Sequence, residues 1–313
     1  MTLIIEVTNL TKRYKNSRAN AVDSISFSVS QGEFFALLGP NGAGKTTTIS
    51  MLTTTLSPTS GAARIAGYDV AAQASAVRQN AGIIFQKPSL DLNLTAEENV
   101  RLHTILYGLY PFRPTFATMP KAYKAQVDEL TTMLGLDEDL FKPVKIFSGG
   151  MKRKLEIVRS LIHRPRVLFL DEPTAGLDPA SRRNLWAYIR RVRRESGTTV
   201  FLTTHYLEEA EEADTICIIN RGKIVSYGTP EQVKSELIET YLVVDAADRP
   251  ALRAELRRLP VPFIETPRFR IYLDGSLSAH QILKAIDTPL TLVKTHAPSL
   301  EDAYLSIIET EEA

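Results

Sequence analysis

The sequence is short of several things. Its 313 residues include one cysteine and one tryptophan, and 37 basic residues stand against 36 acidic ones for a net charge of +1. A lone Cys217 excludes an internal disulfide and a thiolate cage for a metal. It sits in the apolar run at residues 215–219, which marks a buried, inert thiol and suits a reducing compartment. The charge balance gives no global electrostatic case for nucleic acid or a strongly acidic partner. Two local basic runs, Lys152-Arg153-Lys154 and Arg190-Arg191-Val192-Arg193-Arg194, read as solvated helix faces. No apolar run approaches the ~18–20 residues that cross a bilayer. Spanning helices for any membrane process are therefore expected from another chain. The opening MTLIIEVTNLTKRY alternates like a strand and shows no leader pattern. There is no internal repeat and no low-complexity tract.

What remains is ordinary globular composition, 44% hydrophobic and 23% charged, with length for two domains of ~150 residues each. The most informative stretch is GPNGAGKTT. Gly39, Gly44, Lys45 and Thr46 stand at the offsets of a phosphate-binding loop, with Pro40, Asn41, Gly42 and Ala43 between them and Thr47 after them. Glycines let the backbone curl around an anion and turn its N–H groups inward. Lys45 can then reach the β- and γ-phosphates, and the Thr46 hydroxyl can ligate Mg²⁺. Residues 33–38 read as a buried strand entering the loop. Residues 46–55 read as a helix leaving it, whose N-terminal dipole favours phosphate.

The wider pattern is α/β. Residues 3–14 and 22–38 carry short alternating runs, a small antiparallel β region ahead of the loop. Residues 83–85, 167–170 and 200–202 are short continuous apolar runs followed by polar residues. Buried parallel strands with a ligand crevice at their C-terminal ends read this way. Helical spacing covers 95–108, 121–135 and 149–164, and the Pro- and aromatic-rich segment 110–120 reads as a loop. From about residue 240 the order becomes β-α-β-β-α-β, the split ferredoxin-like pattern. A last helix at about 299–309 has Ser299 as N-cap and Glu301 and Asp302 in its first turn. The expected domains are residues 1–235 and 240–313.

The apolar strand at 167–170 ends in Asp171 and Glu172. Phosphoryl transfer needs a metal clamp and a positioned nucleophile. Asp171 is placed to hold Mg²⁺ and Glu172 to polarise an attacking water. Ser148, Gly149 and Gly150 open the helix that follows, where a hydroxyl and backbone N–H groups make an anion site.

In order, the phosphate loop, Phe147-Ser148-Gly149-Gly150-Met151, Asp171-Glu172, Ala175-Gly176-Leu177-Asp178 and Thr204-His205 resemble the motifs of an ABC-type ATPase. The match covers roughly residues 3–232, and 21 residues separate Gly150 from Asp171, as suits the family. The resemblance implies a P-loop NTPase core with antiparallel β and helical subdomains, followed by the small α+β domain. It implies ATP and Mg²⁺ as ligands, with Tyr14 stacking on adenine and His205 contacting the γ-phosphate. Gln86 would contact Mg²⁺ or the attacking water and couple the site to a transmembrane partner. Ser148, Gly149, Gly150 and Met151 would meet the γ-phosphate bound by a second protomer, and Asp178 would cross the same interface. The resemblance also implies a head-to-tail homodimer, or a pairing with another ATPase subunit, with two ATP molecules between the protomers, seated through a separate permease on the inner face of the cell membrane.

The family's common signature is Leu-Ser-Gly-Gly-Gln, whereas this chain has Phe147 and Met151 at its ends. The SGGM form, the phrases TTTISML and PTSGAARIAG, and Pro298-Ser-Leu-Glu-Asp-Ala-Tyr304 resemble the drug-, lipid- and polysaccharide-export branch, daunorubicin-resistance-type ATPases included. A soluble relative acting on ribosomes or DNA is the alternative. Only 100 residues, without sustained heptads, separate Thr47 from Phe147, which leaves no room for a long coiled coil. The single nucleotide domain also disfavours the ribosomal form. Residues 240–313 are expected to stabilise a dimer rather than to sense a ligand, with Phe263, Phe269, Tyr272 and Tyr304 in core or interface.

Overall fold

The alternation of the first thirty residues becomes two long strands, β1 (Leu3–Lys12) and β2 (Val22–Ser30), paired antiparallel. The computed structural model describes residues 2–15, 17–84, 89–204, 206–237, 241–273, 276–296, 300, 301 and 304. They fall into two compact units, Met1–Tyr227 and Gly228–Ala313.

Within the first unit, β3 (Phe34–Leu38) is buried at every position, as a strand covered on both faces must be. It leads into helix α1 (Lys45–Leu52). Strands β4 (Ser60–Ile65) and β5 (Tyr68–Asp69) return to β1, giving a four-stranded sheet of order β2-β1-β4-β5. The antiparallel region is therefore wider than residues 3–38 suggested. Within that stretch only β1 and β2 belong to it, since β3 joins a second sheet.

Helix α2 (Ala74–Asn80) precedes β6 (Ala81–Ile84). A helical region follows, made of α3 (Ala96–Leu106), α4 (Lys121–Leu134) and α5 (Gly149–Leu161). Thr95 and Glu98 form a reciprocal capping box at the start of α3. Gly135 ends α4 in the left-handed conformation that closes helices. The segment read as a loop at 110–120 contains one 3-10 turn, Phe116–Thr118. The chain then returns to the sheet through β7 (Val167–Asp171), α6 (Pro179–Ser196), β8 (Thr199–Thr203), α7 (Leu207–Ala210), β9 (Thr215–Asn220) and β10 (Lys223–Gly228).

The second sheet runs β10-β9-β3-β8-β7-β6, and the pairs from β9 to β6 are parallel. The expected parallel strands at 167–170 and 200–202 are β7 and β8, and the one at 83–85 falls in β6 as far as Ile84, with Phe85 outside the described residues. Cys217 lies fully buried in β9, and burial pushes its thiol far above the ordinary range. Phe27 of the antiparallel sheet stacks on Phe35 of β3 at 5.2 Å, and Phe35 stacks on Phe201 of β8 at 5.0 Å. Each such ring contributes about 1.5–3 kcal/mol by burial, so this seam holds the two sheets together beneath the site. At the β6 edge, Ser160 Oγ of α5 donates to Ile83 O at 2.6 Å, and His163 Nε2 lies 2.9 Å from Ala81 O. The edge strand's carbonyls are thereby occupied by the helix that covers it.

The second unit contains α8 (Pro230–Leu237), β11 (Tyr241–Ala246), α9 (Arg249–Leu256), β12 (Phe263–Glu265), β13 (Phe269–Tyr272), α10 (Ala279–Lys284) and β14 (Leu290–His296). From β11 to β14 the order is the expected β-α-β-β-α-β. The sheet order is β12-β13-β11-β14, antiparallel throughout, as a split β-α-β arrangement requires. Leu242, Leu252, Phe269, Ile271 and Ile282 form its core. Phe263 packs against that core, half-buried. Ser299 and Asp302 of the expected last helix lie outside the described residues. Among the described residues no helix is long and apolar enough to cross a membrane.

Candidate functional site

The loop between β3 and α1 closes on itself. Ala43 N donates to Pro40 O at 3.1 Å, and Thr48 N to Gly44 O at 2.8 Å. Gly44 has φ +111°, and a Cβ there would lie 2.5 Å from Ala21 O. A Cβ on Gly39 would come within 2.2 Å of Ile219 O. Both positions exclude any larger residue. Lys45 is 7% exposed, and its Nζ donates to Gly39 O at 2.5 Å and Pro40 O at 3.1 Å. The ammonium thus lies folded under the loop. Burial lowers its pKa, against the opposing charges of Glu172 and Asp171. Asn41, Gly42 and Thr46 are exposed, and Thr47 is half-buried.

Asp171 closes β7 and is 3% exposed. Burial raises its pKa, and the Glu172 charge adds to the rise. The Thr203 hydroxyl, Lys45 and Arg153 pull it down. Glu172 follows with φ +48°, a left-handed backbone that glycine and asparagine favour. Glu172 shares one pocket with Ala21, Pro40, Gly42, Lys45 and Thr46. Residues read separately, 126 to 132 positions apart, are thus brought together.

Tyr14 stands beside this pocket. Its ring is 45% exposed, its hydroxyl is 3.3 Å from Thr47 Oγ1, and Lys12 Nζ lies 5.8 Å from the ring centroid. An exposed aromatic face next to a phosphate loop can stack on a base. Ser148 caps α5, its Oγ accepting from Met151 N at 3.2 Å. Gly149 has open space where a Cβ would stand. Met151 is half-buried and Phe147 is 4% exposed in the core of the helical region. Asp178 caps α6, accepting from Ala180 N at 3.0 Å, Ser181 N at 2.9 Å and Ser181 Oγ at 2.6 Å. Those bonds hold its carboxyl below the usual range. Gln86 and His205 lie outside the described residues.

Four residues here were not singled out by sequence. Arg153 was read with a solvated basic run, yet it is 4% exposed. Its guanidinium donates to the carbonyls of Asp171, Glu172 and Pro173 at 3.2, 2.9 and 2.9 Å. The available signal was Glu156 three residues on, an i,i+3 partner among apolar positions. In the second basic run, Arg193 is half-buried and donates to Gly32 O at 2.8 Å. Thr203 looked like any strand residue. Glu209, 8% exposed, accepts from Thr204 Oγ1 at 2.8 Å and Thr174 Oγ1 at 2.5 Å. It ties the segment before His205 to the one after Glu172, and no local pattern announces that.

A parallel sheet, a glycine loop running into a helix N-terminus, a buried lysine and an acid pair at a neighbouring strand end define a nucleotide-binding protein of the P-loop class. The phosphates of ATP fit this loop, because its exposed rim at Gly42 faces open space and the pocket beside it is lined by Lys45, Thr46 and Glu172. Residues 22–175 match the family model described as "ABC transporter". The chain is 40% identical over 259 residues to the daunorubicin/doxorubicin resistance ATP-binding protein DrrA of Streptomyces peucetius, covering 82% of this chain and 74% of that protein. It is 39% identical over 233 residues to the probable multidrug ABC transporter ATP-binding protein YbhF of Escherichia coli, covering 74% of this chain but 38% of that longer protein. A solved ATP-binding subunit of an ABC transporter superposes with a TM-score of 0.67 at 31% identity, covering 74% of this chain and 92% of that one. The chain belongs to the ATP-binding proteins of the ABC transporter family and has the fold of an ABC-type ATPase.

Proposed function

We propose that this chain binds and hydrolyses ATP to drive an exporter, working as a head-to-tail dimer on a separate permease at the cytoplasmic face of a membrane. The observation that carries the chemistry is the pocket shared by Lys45, Thr46 and Glu172. The loop's N–H groups and the start of α1 receive the phosphates. Lys45 supplies a buried charge to them. Thr46 and Asp171 would hold Mg²⁺, which would supply positive charge against the charge that develops on the phosphates. Glu172 orients the attacking water and takes its proton. Its aim is fixed by the turn at the end of β7, whose backbone is hydrogen-bonded to Thr203 and Arg153. Gln86 and His205 are assigned to the metal or water and to the γ-phosphate by family resemblance.

The second protomer enters through Ser148, Gly149 and Gly150, which open α5 as a helix N-terminus. Asp178 lies on the exposed start of α6. The drug-resistance relatives and the SGGM form support the export branch, with the cargo selected by the permease. The C-terminal unit is read as a support for the dimer.

Purification of the tagged full chain from native membranes in mild detergent tests this reading. A stoichiometric polytopic membrane protein, together with Mg²⁺-dependent ATP hydrolysis, is the expected result. Recovery with ribosomes or nucleic acid and without a membrane partner overturns it.

A further inference from the structure

Helix α5 begins at the Ser148-Gly149-Gly150 loop and carries Arg153, Glu156 and Arg159 one turn apart on its inner side. Arg153 and Glu156 are 4% and 1% exposed. Beyond its three bonds to the carbonyls of Asp171, Glu172 and Pro173, Arg153 donates to Glu156 Oε2 at 3.2 Å. The other carboxylate oxygen, Oε1, accepts from Ser89 N at 2.9 Å. Arg159 donates to Ser89 O at 2.7 Å and to Ser89 Oγ at 2.5 Å. Ser89 stands three residues after Gln86. One helix therefore grips two places, the backbone that carries the acid pair and Ser89.

A buried ion pair contributes little net stability, because desolvation offsets the attraction between its charges. What this one supplies is geometry. A planar guanidinium donates in fixed directions. It satisfies three successive carbonyls only at one position of α5 relative to the end of β7. Glu156 passes the same constraint to Ser89. Displacement of the loop at residues 148–150 must therefore be shared by the turn at Glu172 and by Ser89, or break these bonds.

We propose that Arg153 and Glu156 are positioning residues that couple the Ser148-Gly149-Gly150 loop to the Asp171-Glu172 pair and to Ser89 of the same chain. The inference rests on the reading that this loop meets the nucleotide of a second copy. Contact at one nucleotide then sets the aim of the acid at the other, and hydrolysis at the two sites is cooperative.

The test is steady-state ATP hydrolysis by the full chain as wild type, Arg153→Lys, and Arg153→Met combined with Glu156→Met. Lysine keeps the charge but offers no planar fork. The double methionine change roughly keeps the buried volume and removes both charges together, so neither member of the pair is left buried alone. In both variants kcat falls about tenfold or more from lost orientation, KM for ATP stays within about threefold, and the Hill coefficient drops toward unity. Wild-type kcat and cooperativity in both variants overturn the proposal. So does a parallel loss of kcat, ATP affinity and thermal midpoint, which marks plain structural support. A wild-type chain that fails to hydrolyse ATP defeats the underlying function instead, which separates the two failures.

Discussion

Thr203 on β8 faces Asp171 on β7 in register, and its hydroxyl donates to Asp171 Oδ1 at 2.5 Å. Its carbonyl accepts from Glu172 N at 2.9 Å. One strand residue thus fixes both acids, the first through its side chain and the second through its main chain.

The side-chain bond predicts a pH effect. Burial raises the pKa of Asp171, and the Thr203 hydroxyl acts against that rise by favouring the carboxylate. Thr203→Val removes the donor, so the pKa rises further. A metal is held by the ionised acid, so the acid limb of the ATPase profile moves to higher pH while the alkaline limb stays. Rates measured across pH at saturating ATP and Mg²⁺ check this. A shift of the limb toward lower pH contradicts the assignment of Asp171.

Glu172→Gln keeps the turn and removes the base. Turnover falls by about 10²–10⁴, while ATP binding persists and traps the dimer in size-exclusion chromatography. Undiminished hydrolysis would refute the role given to Glu172.

Gly44→Ala forces a Cβ to 2.5 Å from Ala21 O at φ +111°. Backbone strain alone costs about 1–3 kcal/mol. A titration should show lost ATP affinity, and calorimetry a thermal midpoint lower by roughly 2–4 °C per kcal/mol.

Tyr14→Ala removes an exposed ring whose stacking on a base is worth about 1–3 kcal/mol, or roughly 5- to 150-fold in KM for ATP. Tyr14→Phe keeps the ring and should retain the wild-type KM. Identical KM values in all three proteins would remove Tyr14 from the base-binding role.

The loop and the acid pair were legible because each is a contiguous string joined to a buried strand. The parallel strands announced themselves as short apolar runs, and the C-terminal unit by its alternation. Strand β4 did not, because Ser60-Gly61-Ala62-Ala63 buries only Ala63 among its first four residues. Arg153 was hidden by its neighbours, since Lys152 and Lys154 give the run a solvated look. Its partners lie 18–20 residues on and are main-chain carbonyls, which leave no mark in side-chain chemistry. Glu209 is the same case, a carboxylate whose partners Thr174 and Thr204 meet only in the fold.

The left-handed backbone at Glu172 has a consequence for how this chain can change. Glycine or asparagine sits in that conformation more readily by about 1 kcal/mol. A lineage selected for heat resistance alone would drift away from glutamate there. Keeping glutamate there sets the cost of a left-handed main chain against a carboxylate that shares its pocket with Lys45 and Thr46.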